Sequence, residues 1–429
     1  MLRDLMAALT QASSWRMAVR NVGRHRRRTG IVLTAVAVGL GGILVTMAIQ
    51  YGMIFQMVQT AIRTELGHLQ IQGLGFEEST GIDVRIRWAR QADPGLLADV
   101  PGVAAWTPRL LSEGLVFSPR ASVGVRLVGI DPEREAAVTA LADAVVEGAY
   151  LDADGGEPPA NGAGRRRRPE LLMGARLADR LKVGVTDKVV LSVQDVHGDM
   201  TGEAYRVGGL FRTASRELDE TAVYMRLDEG QRLLDVGEDV STLVLVTRDG
   251  VAPEVAKAAL LGRMDPTLEV RTWKELRPLL VSMIDMMDSM GWIIYAAVFI
   301  AMAFGIANVL LMSVYERIRE IGIMMAIGMR PGRLVAVIVI ESMLLTLVGV
   351  ALGFAVGLGA IWSLRDGIDL SNWGEGLVAF GIPTRIVPLL RSDDLLIPVL
   401  VAVITAILAS LWPAVRAART RPAEAVRHV

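Results

Sequence analysis

Few residues of this 429-residue chain have the types and spacing that catalysis requires. There is no cysteine, which excludes disulfides, iron–sulfur clusters and thiol nucleophiles. The histidines at 25, 68, 197 and 428 lie far apart, and none of the four lysines follows a glycine, so the phosphate-binding loop G-x-x-x-x-G-K-[ST] is absent. Neither G-x-S-x-G nor H-E-x-x-H occurs. We therefore predict no catalytic residues, and no metal or cofactor bound by this chain.

One local group could still do chemistry, because His197 lies between Asp195 and Asp199. A histidine with two carboxylates fits an acid–base or metal site. The sequence Val196-His-Gly-Asp199 is also typical of a hairpin turn, and we favour the turn. Asp219 and Glu220 similarly predict a polar turn before a strand.

The composition instead indicates a membrane protein with a large polar part. Hydrophobic residues make up 52% of the chain and charged residues 21%, and 45 basic against 46 acidic residues argue against nucleic-acid binding. A membrane helix needs about 20 apolar residues. Four runs are long enough, and the first is too long for a cleaved signal peptide. They are Thr29–Ile62, Ser289–Tyr315, Leu334–Leu364 and Leu395–Val415.

The arginines near these runs predict the orientation. Basic residues precede the first run, separate the second from the third and follow the fourth, so both termini are expected in the cytoplasm and residues 63–288 outside. These residues are Arg16, Arg20, Arg24, Arg26, Arg27, Arg28, Arg317, Arg319, Arg330, Arg333, Arg416, Arg419, Arg421 and Arg427. The run at 165–168 sits in a Gly/Pro-rich tract that predicts a surface loop, with binding to anionic lipid headgroups as the alternative.

The outer segment has the patterns of an α+β domain. Alternating apolar residues predict strands at 68–72, 123–128, 188–193 and 242–247, and helical spacing predicts helices at 132–146 and 171–181. Apolar residues at helical spacing also extend the first two membrane helices into stalks over 50–66 and 273–290. Methionines are dense there, which fits either ordinary packing or a lipid- or acyl-binding cleft. The cleft residues would be Met47, Tyr51, Ile54, Met57, Met287, Met290 and Ile294.

The segment Tyr315–Arg333 is amphipathic and lies between two membrane runs. A polar start at Glu316–Glu320 is followed by apolar residues, and Gly328 and Pro331 fit a helix end and a turn. It could be a loop with a snorkelling helix, or a docking helix for a cytoplasmic partner.

This segment closely resembles the signature of the FtsX-like ABC transporter permease family, which includes MacB-like and lipoprotein-releasing (LolC/LolE-type) permeases. The family pattern R-x-R-E-I-G-I-x-x-A-[LI]-G is matched by Arg317, Arg319, Glu320, Ile321, Gly322, Ile323, Ala326, Ile327 and Gly328, and Glu341 follows in the next span. The stretches 15–29 and 413–427 are similar to the family's N-terminal amphipathic helix and closing motif. In the outer segment, 67–71, 127–132, 172–185 and 205–211 resemble the lipoprotein-releasing branch.

The resemblance implies a fold class: an α+β membrane protein with four transmembrane helices and a large α+β extracytoplasmic domain between the first two, the type VII ABC transporter architecture. The expected parts are an amphipathic helix (1–28), the first helix and stalk (29–62), a periplasmic domain (63–275, with an inserted part at about 136–222), the second stalk and helix (276–314), a coupling helix (315–333), the third helix (334–364), a periplasmic loop (365–394), the fourth helix (395–415) and a cytoplasmic tail (416–429).

The resemblance also implies partners and site residues. Two permease chains, identical or related, would pair in a bacterial inner membrane above a separate ATPase dimer that binds ATP and Mg²⁺, since MacB-type members carry a fused ATPase and this chain does not. The coupling residues would be Glu316, Arg317, Arg319, Glu320, Ile321, Gly322, Met324, Met325, Ile327, Gly328, Arg330 and Pro331. Among them, Met324, Met325 and Ile327 would be the apolar anchor.

The function expected from this resemblance is extraction of lipoproteins, or other lipidated or amphipathic substrates, from the outer leaflet by mechanotransmission, with membrane lipids around the chain and a periplasmic acceptor beyond it. Two alternatives are MacB-like export of periplasmic peptides or small molecules, and a non-transporting scaffold that regulates a cell-wall hydrolase.

Overall fold

The structure is a computed structural model that describes residues 11–24, 26–76, 84–87, 97, 100–152, 169–370, 385–391 and 393–419. The arginine run at 165–168 and the tail after residue 419 lie outside these ranges. The chain divides into two compact units: a helical unit (1–55, 283–370 and 385–429) and a sheet unit (56–282 and 371–384).

The elements of both units are numbered here along the chain. They are α1 (Ala12–Arg24), α2 (Arg26–Ala61), a π-helical turn (Ile62–Leu66), β1 (Leu69–Gly73), β2 (Val103–Phe117), β3 (Ser122–Ile130), α3 (Pro132–Val138), β4 (Val145–Gly148), β5 (Glu170–Gly174), α4 (Ala175–Leu181), β6 (Lys188–Gln194), β7 (Met200–Phe211), α5 (Arg216–Thr221), β8 (Ala222–Arg226), α6 (Leu227–Leu234), β9 (Thr242–Thr247), α7 (Pro253–Leu261), β10 (Leu268–Thr272), α8 (Trp273–Leu276), α9 (Pro278–Glu316), α10 (Ile318–Ala326), α11 (Pro331–Ser363), β11 (Ile368–Asp369), β12 (Arg385–Ile386) and α12 (Asp393–Ala418).

Four of the described helices are long and apolar enough to cross a membrane. They are Thr29–Leu66, Pro278–Glu316, Pro331–Ser363 and Leu395–Ala418. The predicted fold class, four membrane helices with an α+β domain between the first two, is confirmed. The second stalk differs from expectation, because the predicted continuous helix over 273–290 is interrupted at Arg277, between α8 and α9.

Helices α2 and α11 pack closely through glycines on α11. A Cβ added to Gly353 would lie 2.9 Å from Leu40 Cβ and 3.1 Å from the carbonyl oxygen of Ala37. Gly349 and Gly357, one turn away on either side, meet α2 in the same way. Membrane helices associate through such small-residue stripes because they allow the backbones to approach each other.

A second small-residue stripe lies on α12. Ala402, Ala406, Ser410 and Ala414 recur every four residues and are fully buried. The hydroxyl of Ser342 on α11 donates to the Ala406 carbonyl at 3.3 Å, so this stripe faces α11. Helix α11 therefore has neighbours on two sides.

The sheet unit contains a ten-stranded sheet with the order β10-β1-β9-β2-β3-β8-β5-β7-β4. Strand β6 pairs with both β2 and β7, so β2, β3, β8, β5, β7 and β6 form a closed ring. The apolar core inside the ring includes Val116, Leu191 and Tyr205. A second core lies between β1, β9 and β10 and helix α7, with Leu69, Leu245 and Leu260.

Three local expectations were wrong. Residues 171–174 form strand β5 rather than the start of a helix, and α3 ends at Val138, so the rest of the predicted helix over 132–146 is a turn and the start of β4. Asp219 lies in α5 and is buried, accepting hydrogen bonds from the backbone and hydroxyl of Thr213 at 2.8 Å. The inserted part at 136–222 stays a prediction, and the ring that contains it also includes β2 and β3.

Candidate functional site

The predicted coupling segment is built from a short helix between two breaks. Helix α9 ends at Glu316, and Arg317 has a non-helical backbone before α10 begins. Helix α10 ends before Gly328, whose φ of +101° favours glycine, and Pro331 occupies the first turn of α11. The second break is therefore fixed by Gly328 and Pro331, which the sequence analysis had singled out.

One side of this segment is exposed. Arg319, Glu320, Ile323 and Ile327 recur at the spacing of α10 and are all accessible, and the side chain of Ile327 is 82% exposed. Glu316, at the end of α9, is also accessible. An isoleucine left in water at the end of a charged stripe forgoes roughly 1.5–3 kcal/mol of burial energy. This stripe has the composition of a docking surface.

The opposite side of α10 packs against the helical unit. Ile321 and Gly322 are buried, and Met324 and Met325 lie half-buried against the same apolar core. Of the apolar residues expected to contact a partner, only Ile327 is exposed. Ile323 is also exposed but was absent from that set, although its spacing of four residues from Arg319 and from Ile327 could have indicated it.

Some charged side chains of the segment form ion pairs with other residues of the chain. The Arg317 guanidinium lies 3.2 Å from Glu320 Oε2 and 3.7 Å from Glu341 Oε2. Arg333 donates to the Ser13 hydroxyl at 2.7 Å. Arg330 and Pro331 stay exposed at the start of α11.

A cavity of about 840 Å³ lies beside this segment in the helical unit. Its lining combines coupling residues with residues of α1, α9 and α11. They include Met17 and Arg20 from α1, Leu310, Ser313 and Val314 from α9, Arg317, Glu320, Ile321, Ile323 and Met324 from the segment, and Val337, Ile338 and Glu341 from α11. The coupling segment, α1, α9 and α11 thus share one cavity.

The predicted substrate-cleft residues fall into different environments. Met47 and Ile54 are buried, whereas Met290 and Ile294 are exposed. The Gln50 side chain donates to the Met287 carbonyl at 2.6 Å, which joins α2 to α9 at this level. The ring of Tyr51 lies under the Arg391 guanidinium at 5.4 Å, and Met57 belongs to the sheet unit. A cleft formed by all seven residues remains a prediction.

The histidine with two carboxylates forms a turn. Asp195 Oδ1 accepts from the backbone N–H groups of His197 and Asp199, both at 2.9 Å, and Gly198 has a φ of +87° between β6 and β7. The hairpin turn is confirmed. The part of the chain that the structure describes contains no group of three or more potential metal-ligating side chains.

Two family models match the chain. The FtsX-like permease C-terminal model matches residues 292–422, and the MacB-like periplasmic core domain model matches residues 29–262, more than half of the chain. The chain belongs to the FtsX-like and MacB-like family of ABC permeases. The resemblance stated from the sequence is thereby confirmed, and this FtsX-like permease is a multi-pass inner-membrane protein and an ABC permease subunit.

Curated relatives match along most of its length. It is 24% identical to the lipoprotein-releasing system transmembrane protein LolC of Xylella fastidiosa over 94% of this chain and 96% of that protein. It is 25% identical to the macrolide export ATP-binding/permease protein MacB of Rhodospirillum rubrum over 98% of this chain and 61% of that protein. The periplasmic region of MacB from Actinobacillus actinomycetemcomitans aligns with 52% of the chain at a TM-score of 0.34 and 14% identity.

Proposed function

We propose that this chain is the permease subunit of an ATP-driven transporter that extracts lipoproteins, or other lipidated or amphipathic substrates, from the outer leaflet of the inner membrane. The observation that carries the proposal is the match to a lipoprotein-releasing protein along nearly the full length of both chains. The MacB relative, by contrast, extends well beyond the region that this chain matches.

The proposal places the sheet unit in the periplasm and both termini in the cytoplasm. The arginines flanking the membrane helices support this orientation. A separate ATPase dimer would bind ATP and Mg²⁺ below the membrane, and a second permease chain would complete the transporter.

In the proposed mechanism, the exposed stripe from Glu316 to Ile327 docks on the ATPase. Arg319 and Glu320 would make charge-assisted contacts, and Ile323 and Ile327 would enter an apolar groove. Ile321, Gly322, Met324 and Met325 would position the stripe by packing under it. ATP binding would then move α9 and α11, to which α10 is joined at either end.

The proposal is tested with the chain and its co-purified ATPase in liposomes that carry an acylated reporter protein. We expect ATP to release the acylated reporter and to leave in place an unacylated form held by a transmembrane anchor. Chains carrying Ile323→Asp and Ile327→Asp should lose release together with ATPase binding. ATP hydrolysis without release of the acylated reporter would contradict the proposal.

Export of the MacB kind is a second candidate, because the MacB-like core domain model covers residues 29–262. It predicts ATP-dependent movement of soluble peptides or small molecules instead. The same liposomes, loaded with such compounds in place of the reporter, separate the two functions.

A further inference from the structure

The end of the first membrane helix is an unusual turn. Residues Ile62–Leu66 form a π-helical turn, which Gly67 closes with a φ of +63° and an N–H donated to the Ile62 carbonyl at 3.0 Å. A Cβ at Gly67 would lie 2.5 Å from Val244 Cγ1, so only glycine fits. Turns of this kind are rare and are frequent at functional sites. Here the turn presents Glu65.

Glu65 connects the helix to two other parts of the sheet unit. Its Oε1 lies 2.8 Å from the Arg126 guanidinium on β3 and 3.2 Å from that of Arg277. Arg277 is the residue between α8 and α9, where the second membrane helix begins. One carboxylate oxygen therefore joins the end of α2, the start of α9 and the sheet.

The backbone of the same turn is held by a buried ion pair. Arg109 donates to the Glu65 carbonyl and makes two hydrogen bonds to the Glu135 carboxylate, at 2.6 and 3.1 Å. Burial alone lowers the pKa of Arg109, but the adjoining Glu135 carboxylate raises it above its ordinary value, so the guanidinium stays charged.

Helix α3 reinforces these contacts. The Thr139 hydroxyl donates to Glu135 Oε1 at 2.9 Å, and the Ala140 N–H donates to the Arg63 carbonyl at 2.9 Å. We call the set Glu65, Arg109, Arg126, Glu135 and Arg277 the ion-pair joint. Within the sheet unit, it holds the turn Ile62–Leu66 to β2, β3 and Arg277 by both side-chain and backbone bonds.

We propose that Glu65 is a positioning residue of the transport cycle, which fixes the end of the first membrane helix and the start of the second so that they move the sheet unit as one body. The inference rests on the proposed function only where it assigns Glu65 a role in transport. The geometric part, that Glu65 fixes the two helices relative to each other, stands on the contacts alone.

We expect that the carboxylate can be changed without unfolding the chain. A cavity of about 300 Å³ adjoins Glu65, and its mixed apolar and polar lining includes the side chains of Gln70, Gln72 and Thr242. A neutral side chain at position 65 can therefore be hydrated there. The exposed pair Lys274–Glu254, 2.8 Å apart, offers a matched control because it joins α8 to α7 and involves neither membrane helix.

The first test measures geometry in the full chain. Because the chain has no cysteine, Gln59→Cys on α2 and Leu279→Cys on α9 introduce only two spin labels. We expect one narrow distance distribution in the otherwise unchanged chain and in Glu254→Gln. The distribution should at least double in width in Glu65→Gln, and Arg277→Gln, which removes one arm only, should broaden it less. A narrow distribution in both joint variants overturns the proposal.

The second test measures transport with the acylated reporter. Glu65→Gln should lower ATP-driven release at least tenfold while ATP hydrolysis stays within twofold, and Glu65→Asp, which keeps the charge, should restore part of the release. Broadened distances with unchanged release overturn the positioning role. If even the unchanged chain releases no reporter, the proposed function fails, and the distance measurement still decides whether Glu65 fixes the two helices.

Discussion

The two ends of α9 meet the rest of the chain in opposite ways. At Arg277 the helix begins beside charged residues that make several hydrogen bonds, some of them buried. At Arg317 it ends next to a short helix that leaves Ile323 and Ile327 exposed between charged side chains. Ion pairs with several partners hold the elements that they join at a fixed angle. The comparison contrasts an end of α9 that is held within the chain with an end that we propose as the docking site for an ATPase.

Breaking the buried pair of the joint should have the largest effect. Arg109→Met leaves the Glu135 carboxylate buried without its partner, which costs about 3–5 kcal/mol. The double variant Arg109→Met with Glu135→Leu should recover most of that stability. Thermal unfolding of the full chain in mild detergent measures the stability of both variants. A double variant no more stable than the single one would show that the loss of stability does not come from the unpaired Glu135 charge.

A charge introduced into the proposed docking stripe should weaken ATPase binding without lowering the stability of the chain. Ile327→Asp should weaken binding of the ATPase by about 2 kcal/mol, roughly thirtyfold, because a hot-spot side chain is replaced by one that resists burial. Its unfolding temperature should not change. Val255→Asp, at a 60% exposed apolar residue of the sheet unit, is the control. Equal loss of affinity in the control would contradict the docking role of the stripe.

Glycine packing in the helical unit should show an intermediate effect. Gly353→Ala forces Leu40 and the Ala37 carbonyl away from α11 and should cost about 1–3 kcal/mol. Gly359→Ala, on the same helix with nothing within 4 Å of the added Cβ, should gain up to about 1 kcal/mol. Opposite signs in thermal unfolding are expected, and equal signs would mean that α2 does not pack against Gly353.

The smallest effect concerns pH. Burial, followed by the charge of Asp228, raises the pKa of Glu229 to about 7, and its Oε2 has no hydrogen-bond partner within the described residues. The folded chain binds this proton more tightly than the unfolded chain, so stability should rise as pH falls from about 8 to 5. Glu229→Gln should remove that slope and add about 1 kcal/mol at pH 8 once solvent screening is included. Unfolding temperatures at the two pH values test this, and an unchanged slope would assign it to other groups.

The features that repeat along the chain were the predictable ones. Four long apolar runs and the strands at 188–193 and 242–247 follow from periodicity, and the motif around Arg317–Gly328 pointed to the family. Leu171–Gly174 was missed because a short buried apolar run fits a helix as well as a strand. Spacing alone could not decide whether the predicted cleft residues line one cleft, because methionines that are close together in the sequence differ in how deeply they are buried.

The ion-pair joint could not have been read from the sequence. Arg109 and Glu135 are 26 residues apart, and Glu65 and Arg277 are 212 apart. Each is an ordinary charged residue in a chain with 91 such residues, and only the pairing of the strands brings them together. Local patterns specify helices and strands, whereas contacts between distant charges depend on the complete sheet.

The register of β1 also sets the order in which the sheet can form during synthesis. Leu69 lies opposite Thr272 on one side and Leu245 on the other, so the strand that follows the first membrane helix waits for strands synthesised some two hundred residues later. Contacts so distant in sequence form slowly and leave strand edges open to aggregation in the meantime. The nascent chain therefore leaves β1 without either native neighbour until residue 247 has emerged, and β10 becomes available only when residue 272 has been made.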